Sequence, residues 1–196
     1  MPKTLLRWSL TLLTATLLPF GAADAKAQGA PPAAGAPTAV PPARQADVAS
    51  LDAILTALYE VISGPAGQRR DWDRFRSLFM PGARLIPTSG QPGRPAVALA
   101  WSPDEYVQRA APGLERDGFF EREIGRRVDT FGRITQVFSA YDSRRTPTDT
   151  RPFQRGINSI QLLNDGTRWW VVSVYWDTER PDNPIPRRYL TKGGGR

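Results

Sequence analysis

Nineteen carboxyl side chains, five tyrosines, and no histidine or cysteine set the chemistry open to this chain of 196 residues. Without histidine there is no Ser-His-Asp triad and no imidazole base. Without cysteine there is no thiolate nucleophile, no disulfide and no cysteine metal site. Zinc and copper centres normally need those ligands, and no run of the form D-x-[DN]-x-[DN]-G offers a calcium loop, so neither a metal nor another cofactor is expected. What remains is acid–base work by carboxyl and phenol groups. Such a site needs a carboxylate base beside an apolar pocket and donors that meet a developing oxyanion. The candidate carboxylates on strand-like segments are Glu121, Glu123, Asp129, Asp142 and Asp177, and the candidate donors are Tyr59, Tyr106, Tyr141 and Tyr175. Nothing in the spacing says which of them meet, so no catalytic residue is assigned. The bland alternative is a solvated sheet face of cross-strand Arg–acid pairs.

Asn158 is more informative. It alternates with Ile160 and Leu162 and so shares their apolar side. A buried amide left unpaired costs about 1–3 kcal/mol, so Asn158 must serve a ligand, or tie down Tyr59 or a loop carbonyl. Trp72, Trp101, Trp170 and Trp176 read first as core, with Trp101 and Trp176 able to line a cavity. The ligand-binding candidates are therefore Tyr59, Trp101, Asn158 and Trp176.

The elements that must position these residues are legible from periodicity. Asp47 or Ser50 caps a helix reaching Ile62, with Leu51, Ile54, Leu55, Leu58 and Ile62 along one face. Gly64-Pro65 stops it. A shorter helix starts at Asp71 and ends at Pro81-Gly82. Strands are expected at 83–87 and 96–101 around the loop SGQPGRP. Ser102-Pro103-Asp104-Glu105 then opens a third helix to Asp117, kinked at Pro112-Gly113. Four strands follow, at 119–131, 134–144, 153–163 and 168–177, the last two joined by the hairpin signal Asn164-Asp165-Gly166. Strict alternation in the last strand puts Trp170, Val172, Val174 and Trp176 toward the helices and Trp169, Val171, Ser173 and Tyr175 on the other face. Helices segregated to one face of a curved antiparallel sheet make an α+β cone.

Ahead of this domain, Met1 to Ala27 has the three parts of a secretory signal: Lys3 and Arg7, an apolar run from Trp8 to Phe20, and small residues at a cleavage site after Ala27. The run is shorter than the roughly 20 residues of a spanning helix, so the mature protein is expected to be periplasmic or secreted, with no membrane association after cleavage. Residues 28–45 are rich in Pro, Ala and Gly and read as a disordered spacer. The folded domain is expected over 46–190 and a flexible tail over 191–196. The net charge of +7 is carried almost wholly by arginine, but the arginines are interleaved with acids, as in Arg122-Glu123 and Arg126-Arg127-Val128-Asp129. Nucleic-acid binding is therefore not expected.

Three stretches carry a resemblance to a family. Asp71 to Ala83 (DWDRFRSLFMPGA) puts a tryptophan on a short helix and turns into a strand, Ile134 to Tyr141 (ITQVFSAY) forms a later strand, and Asp165 to Val172 (DGTRWWVV) leads out of a hairpin. In this order the chain resembles the nuclear transport factor 2-like superfamily in its bacterial SnoaL-like branch, over residues 48–180. The resemblance implies a cystatin-like α+β cone, with three N-terminal helices on one face of the sheet and a conical cavity between. Members include ketosteroid isomerases, polyketide cyclases, dehydratases and modules that only bind, so fold does not decide function. One departure is sharp: a histidine of the family's pattern is Gln136 here, and a dehydratase-type His/Asp pair cannot be built.

Two functions follow as expectations. The first is non-catalytic binding of a small apolar or aromatic ligand, or a protein partner, in the cone. The second is a histidine-free isomerase, cyclase or lyase using carboxylate and tyrosine. The missing histidine and the unplaced acid–base pair favour binding; a strand carboxylate buried with a strongly raised pKa would favour chemistry. The resemblance also implies a homodimer through the open sheet face, to which Val137 and Tyr141 would add apolar area if they share it with Tyr175. The competing arrangement folds residues 181–190 across that face, with Ile185 and Tyr189 as the cover.

Overall fold

The computed structural model describes residues 39–89 and 94–191; the expected signal segment and most of the spacer lie outside them. The folded part reaches into the segment that composition marks as a spacer. Helix α1 (Gln45–Val48) starts inside the expected spacer, and Ala43 already packs against the core. The anchor is Asp47, which does not cap the next helix but accepts two 2.8 Å hydrogen bonds from the Arg74 guanidinium. Paired bonds of this kind are stronger than neutral ones. Ser50 takes the capping role, accepting the Ala53 amide at 3.1 Å to start α2 (Leu51–Ile62). Asp71 likewise accepts the Arg74 amide at 2.9 Å to start α3 (Trp72–Ser77). Strands β1 (Phe79–Ser89) and β2 (Val97–Ala98) follow. The expected strand at 96–101 is only these two residues plus a bridge from Trp101 to Leu85. Helix α4 (Pro103–Asp117) opens on a full capping box between Ser102 and Glu105 and stays one helix through Pro112.

The remaining strands are β3 (Phe120–Phe131), β4 (Ile134–Arg144), β5 (Gln154–Asn164) and β6 (Trp169–Thr178). They build one six-stranded sheet in the order β2-β1-β6-β5-β4-β3. All pairs are antiparallel except β1 with β6, which run parallel. The core lies between the helices and one sheet face, around Ile54, Phe75, Leu78, Phe79, Val137 and Ile160. This is the α+β cone that the sequence resemblance implies.

Two β-bulges overturn the strict alternation expected on the sheet. Between Gln161 and Leu162 the register to β6 shifts, leaving Val172 as an extra residue. One inserted residue reverses the faces on either side of it. Val174 and Trp176 therefore face the helices as expected, but before the bulge Val171 and Trp169 take that side. Trp170 lies outside instead, under the Arg168 guanidinium at 3.5 Å, with its indole N–H donating to Asp165. A second bulge at Ile124 shifts β3 against β4. Val137 and Tyr141 also belong to the inner face, at 0% and 2% exposure, and add nothing to the outer one.

The outer face is partly covered by the chain's own tail. Ile185 is buried at 9% exposure, and the Tyr189 ring stacks on Phe138 at 5.4 Å. The Thr191 carbonyl accepts the Arg126 amide at 3.4 Å. The tail lies directly on β3 at Gly125, where a Cβ atom would come within 2.7 Å of Leu190 Cα. Tyr175 remains half-exposed beside it.

Candidate functional site

Glu121 lies on β3 opposite Ser143 of β4, on the inner face of the sheet. Its backbone is fastened to the end of α2. Ser63 Oγ accepts the Glu121 amide at 3.0 Å and donates to the Tyr59 carbonyl at 2.7 Å, while Gly64 and Phe119 exchange backbone hydrogen bonds of 2.7 and 3.0 Å. Arg70 holds the turn that makes this possible. Its buried guanidinium donates to the carbonyls of Ile62, Gly64, Pro65, Gln68 and Leu114, tying the ends of α2 and α4 together. A helix leaves its last four carbonyls unpaired, and one side chain here answers one at the end of each helix, Ile62 and Leu114, together with three in the turn after α2.

The Glu121 carboxyl is held by neutral groups. Oε2 accepts from Ser143 Oγ at 3.0 Å and Oε1 from Asn158 Nδ2 at 3.3 Å. The neighbouring arginines are committed elsewhere: Arg122 and Arg144 to Asp142, Arg126 to Asp52 and Glu123. Glu121 keeps some accessible surface because it lines a void, but protein surrounds the rest of it. Burial therefore pushes the carboxyl up to about 7; the Ser143 and Asn158 hydrogen bonds pull it down, and the nearby Asp142 charge pushes it further up.

That void is a cavity of about 280 Å³ between the helices and the inner face. Seven of its lining side chains are aromatic, and among the described residues none is an arginine or lysine. In a chain this rich in arginine, such a wall suits a neutral, apolar guest. All four sequence candidates, Tyr59, Trp101, Asn158 and Trp176, line this one cavity, together with Glu121, Tyr106 and Tyr141. Tyr106 is positioned by aromatic packing, stacked on Phe75 at 5.3 Å and edge-on to Trp176 at 6.4 Å. Among the described residues its hydroxyl has no hydrogen-bond partner, and burial, then the Glu121 charge, raise its pKa. With Tyr141, it is one of two cavity phenols whose proton is not spent on a described neighbour.

Asn158 makes the contact expected of it. Its Nδ2 donates to the Tyr59 hydroxyl at 3.1 Å as well as to Glu121. A larger and more open groove of about 730 Å³ lies between α2 and β3, and Tyr59 and Glu121 line both spaces. The groove wall carries many charged side chains held in ion pairs, such as Arg126 with Asp52 and Glu123, and Arg122 and Arg144 with Asp142. The smaller cavity is the better candidate site because its wall is aromatic and among the described residues carries no arginine or lysine.

Of the other sequence candidates, Asp142 faces outward and is paired with two arginines, Asp177 pairs with Arg180, Asp129 is exposed, and Tyr175 stands on the outer face. Sequence reasoning missed Ser139 and Ser143. The signal was present, since both continue the period-two series Val137, Ser139, Tyr141, Ser143 on the inner face.

No family model and no curated protein matches the chain. Two solved structures are similar to it, each described as an NTF2-like protein of unknown function. One, from Methylobacillus flagellatus KT, is 13% identical over 67% of this chain and 95% of that one, with a TM-score of 0.39. The other, from Shewanella baltica OS155, is 18% identical over 67% of this chain and 98% of that one, with a TM-score of 0.38.

Proposed function

We propose that this protein is an exported proton-transfer enzyme of the isomerase or lyase class, acting on a small, neutral, largely apolar molecule held in the cone cavity. The observation that carries the reading is the half-buried carboxyl of Glu121, without a cationic partner among the described residues, at the wall of an aromatic cavity. A base whose pKa lies near the working pH is present in useful amounts in both protonation states. Glu121 takes a proton from a carbon beside a carbonyl group. The electron pair moves to the carbonyl oxygen, which the free Tyr106 hydroxyl meets, and protonated Glu121 returns the proton at a second carbon. Aromatic walls exclude water and strengthen these interactions. Export rests on the sequence of residues 1–27.

The test is a probe that needs only a base in an apolar pocket, the ring opening of 5-nitrobenzisoxazole followed by phenolate absorbance. The reaction should rise with a midpoint near pH 7 and fall about 10²-fold or more in Glu121→Gln, with a smaller loss in Tyr106→Phe. Equal rates in wild type and Glu121→Gln would overturn the chemistry. If an apolar dye still bound the cavity in that case, the protein would be the binding module that composition first favoured.

A further inference from the structure

A single hydrogen-bond chain crosses from the open groove to the cavity. Ser139 Oγ donates to Glu123 Oε2 at 2.6 Å, and the Tyr59 hydroxyl and Ser139 Oγ are 2.6 Å apart. Asn158 Nδ2 then lies 3.1 Å from the Tyr59 oxygen and 3.3 Å from Glu121 Oε1. At the groove end, Arg126 Nη1 is 3.4 Å from Glu123 Oε1.

Counting hydrogens fixes the sense of this chain. A carboxylate beside an arginine only accepts, and a serine hydroxyl has one hydrogen. Ser139 spends that hydrogen on Glu123. The Tyr59 hydroxyl must then donate to Ser139, which leaves its oxygen to accept. The group that meets it must be a donor, so Asn158 presents its NH₂ and not its carbonyl. The same NH₂ is the group that reaches Glu121. We propose that Glu123, acting through Ser139 and Tyr59, is a positioning residue that sets the orientation of the Asn158 amide and so keeps an N–H on Glu121.

Two consequences follow. Tyr59 lines the cavity, yet its proton is turned away from any guest, which leaves Tyr106 and Tyr141 as the phenol donors there. The amide orientation also decides which form of Glu121 is favoured. An N–H toward Oε1 favours the carboxylate, whereas a flipped amide, with Oδ1 toward it, favours the protonated acid. The other titratable or charged groups around Glu121 are Tyr59 and Glu60 on α2, Tyr106 on α4, Arg122, Glu123 and Arg126 on β3, and Tyr141, Asp142 and Arg144 on β4. Of these only Glu123 changes in the variants below, and its loss, which also frees Arg126, would by charge alone lower the Glu121 midpoint.

The inference concerns the carboxyl used in the proposed function, and its readout is a titration that needs no substrate, so the two can fail separately. Protein carrying ¹³C-labelled glutamate side chains is titrated by NMR, with the Glu121 signal assigned by its loss in Glu121→Gln. Ser139→Ala should raise the Glu121 midpoint by about one unit, and Ser139→Thr, which restores the hydroxyl, should return it. Glu123→Leu should raise it too, although loss of a negative charge alone would lower it. Glu123→Gln keeps an acceptor oxygen and should cause no rise. An unchanged midpoint in Ser139→Ala, or a fall in Glu123→Leu, would overturn the proposal. Because Glu123 borders the open groove, its variants keep the test alive if Ser139→Ala does not fold.

Discussion

Glu121 and Asp142 stand on neighbouring strands, one register step apart, and meet opposite fates. Asp142 is only 4% exposed, yet its carboxyl stays below the usual range: burial pulls it up, and the Arg144 and Arg122 guanidiniums outweigh that pull. Glu121 faces the other way, meets only an amide and a hydroxyl, and burial dominates. Burial alone therefore does not set ionisation; the face of the sheet decides which partners are in reach. One face of this sheet is built from arginine pairs and is structural. On the other, the cation nearest the helices, Arg126, is spent on Asp52 and Glu123, and Glu121 is left without one.

The largest test of the contrast is to neutralise each acid in turn. Asp142→Asn should lower stability, because it removes the carboxylate that both Arg144 and Arg122 pair with. Glu121→Gln should leave stability at pH 7 unchanged or raised, since it removes a carboxyl whose ionised form the fold disfavours. Chemical denaturation of both variants separates them. A large loss in Glu121→Gln would mean that its carboxylate is structural.

The pH dependence should differ in sign. The folded-state pKa of Glu121 is raised, so its contribution is full below the unfolded carboxyl range and is lost as pH rises from roughly 4.5 to 7. The folded-state pKa of Asp142 is lowered, so its contribution is present above roughly pH 4 and is lost as pH falls further. Stability of wild type should therefore decline between pH 4.5 and 7 by an amount that Glu121→Gln abolishes. A decline of equal size in both would assign it to other groups.

The smallest expected effect concerns the outer face. Gly125→Ala would drive a Cβ atom into the tail backbone at Leu190, at a cost of about 1 kcal/mol. We expect wild type to sediment as a monomer at micromolar concentration, because Ile185 and Tyr189 cover part of the face that pairing would use. Gly125→Ala should free that face and shift the protein toward a dimer. A dimeric wild type would mean that copies pair without displacing the tail.

Much of this arrangement was legible in the chain. The caps at Asp71 and Ser102 and the bounds of β4 follow from local rules, which narrow the first cap to Asp47 or Ser50, and Asn158 was legible as a buried amide in need of a partner, Tyr59 being one of three offered, because it broke an apolar series. Faces beyond a bulge were not, since Val172 and Ile124 carry no mark of being the extra residue. Glu121 could be shortlisted but not chosen from five carboxylates, because its distinction is that the arginines near it are paired with other acids, which is a property of three-dimensional packing. Arg70 looked like one arginine among many. Its five carbonyl partners come from the ends of two helices and the turn between α2 and α3, and periodicity does not bring them together.

The most direct measurement is the midpoint of Glu121 itself in the unmodified protein, read from its carboxyl ¹³C shift between pH 3 and 9. The structure places it near 7, well above the ordinary glutamate value of about 4.3. A midpoint in the ordinary range would show that water or a cation reaches the carboxyl, and the distinction between the two faces would fall with it.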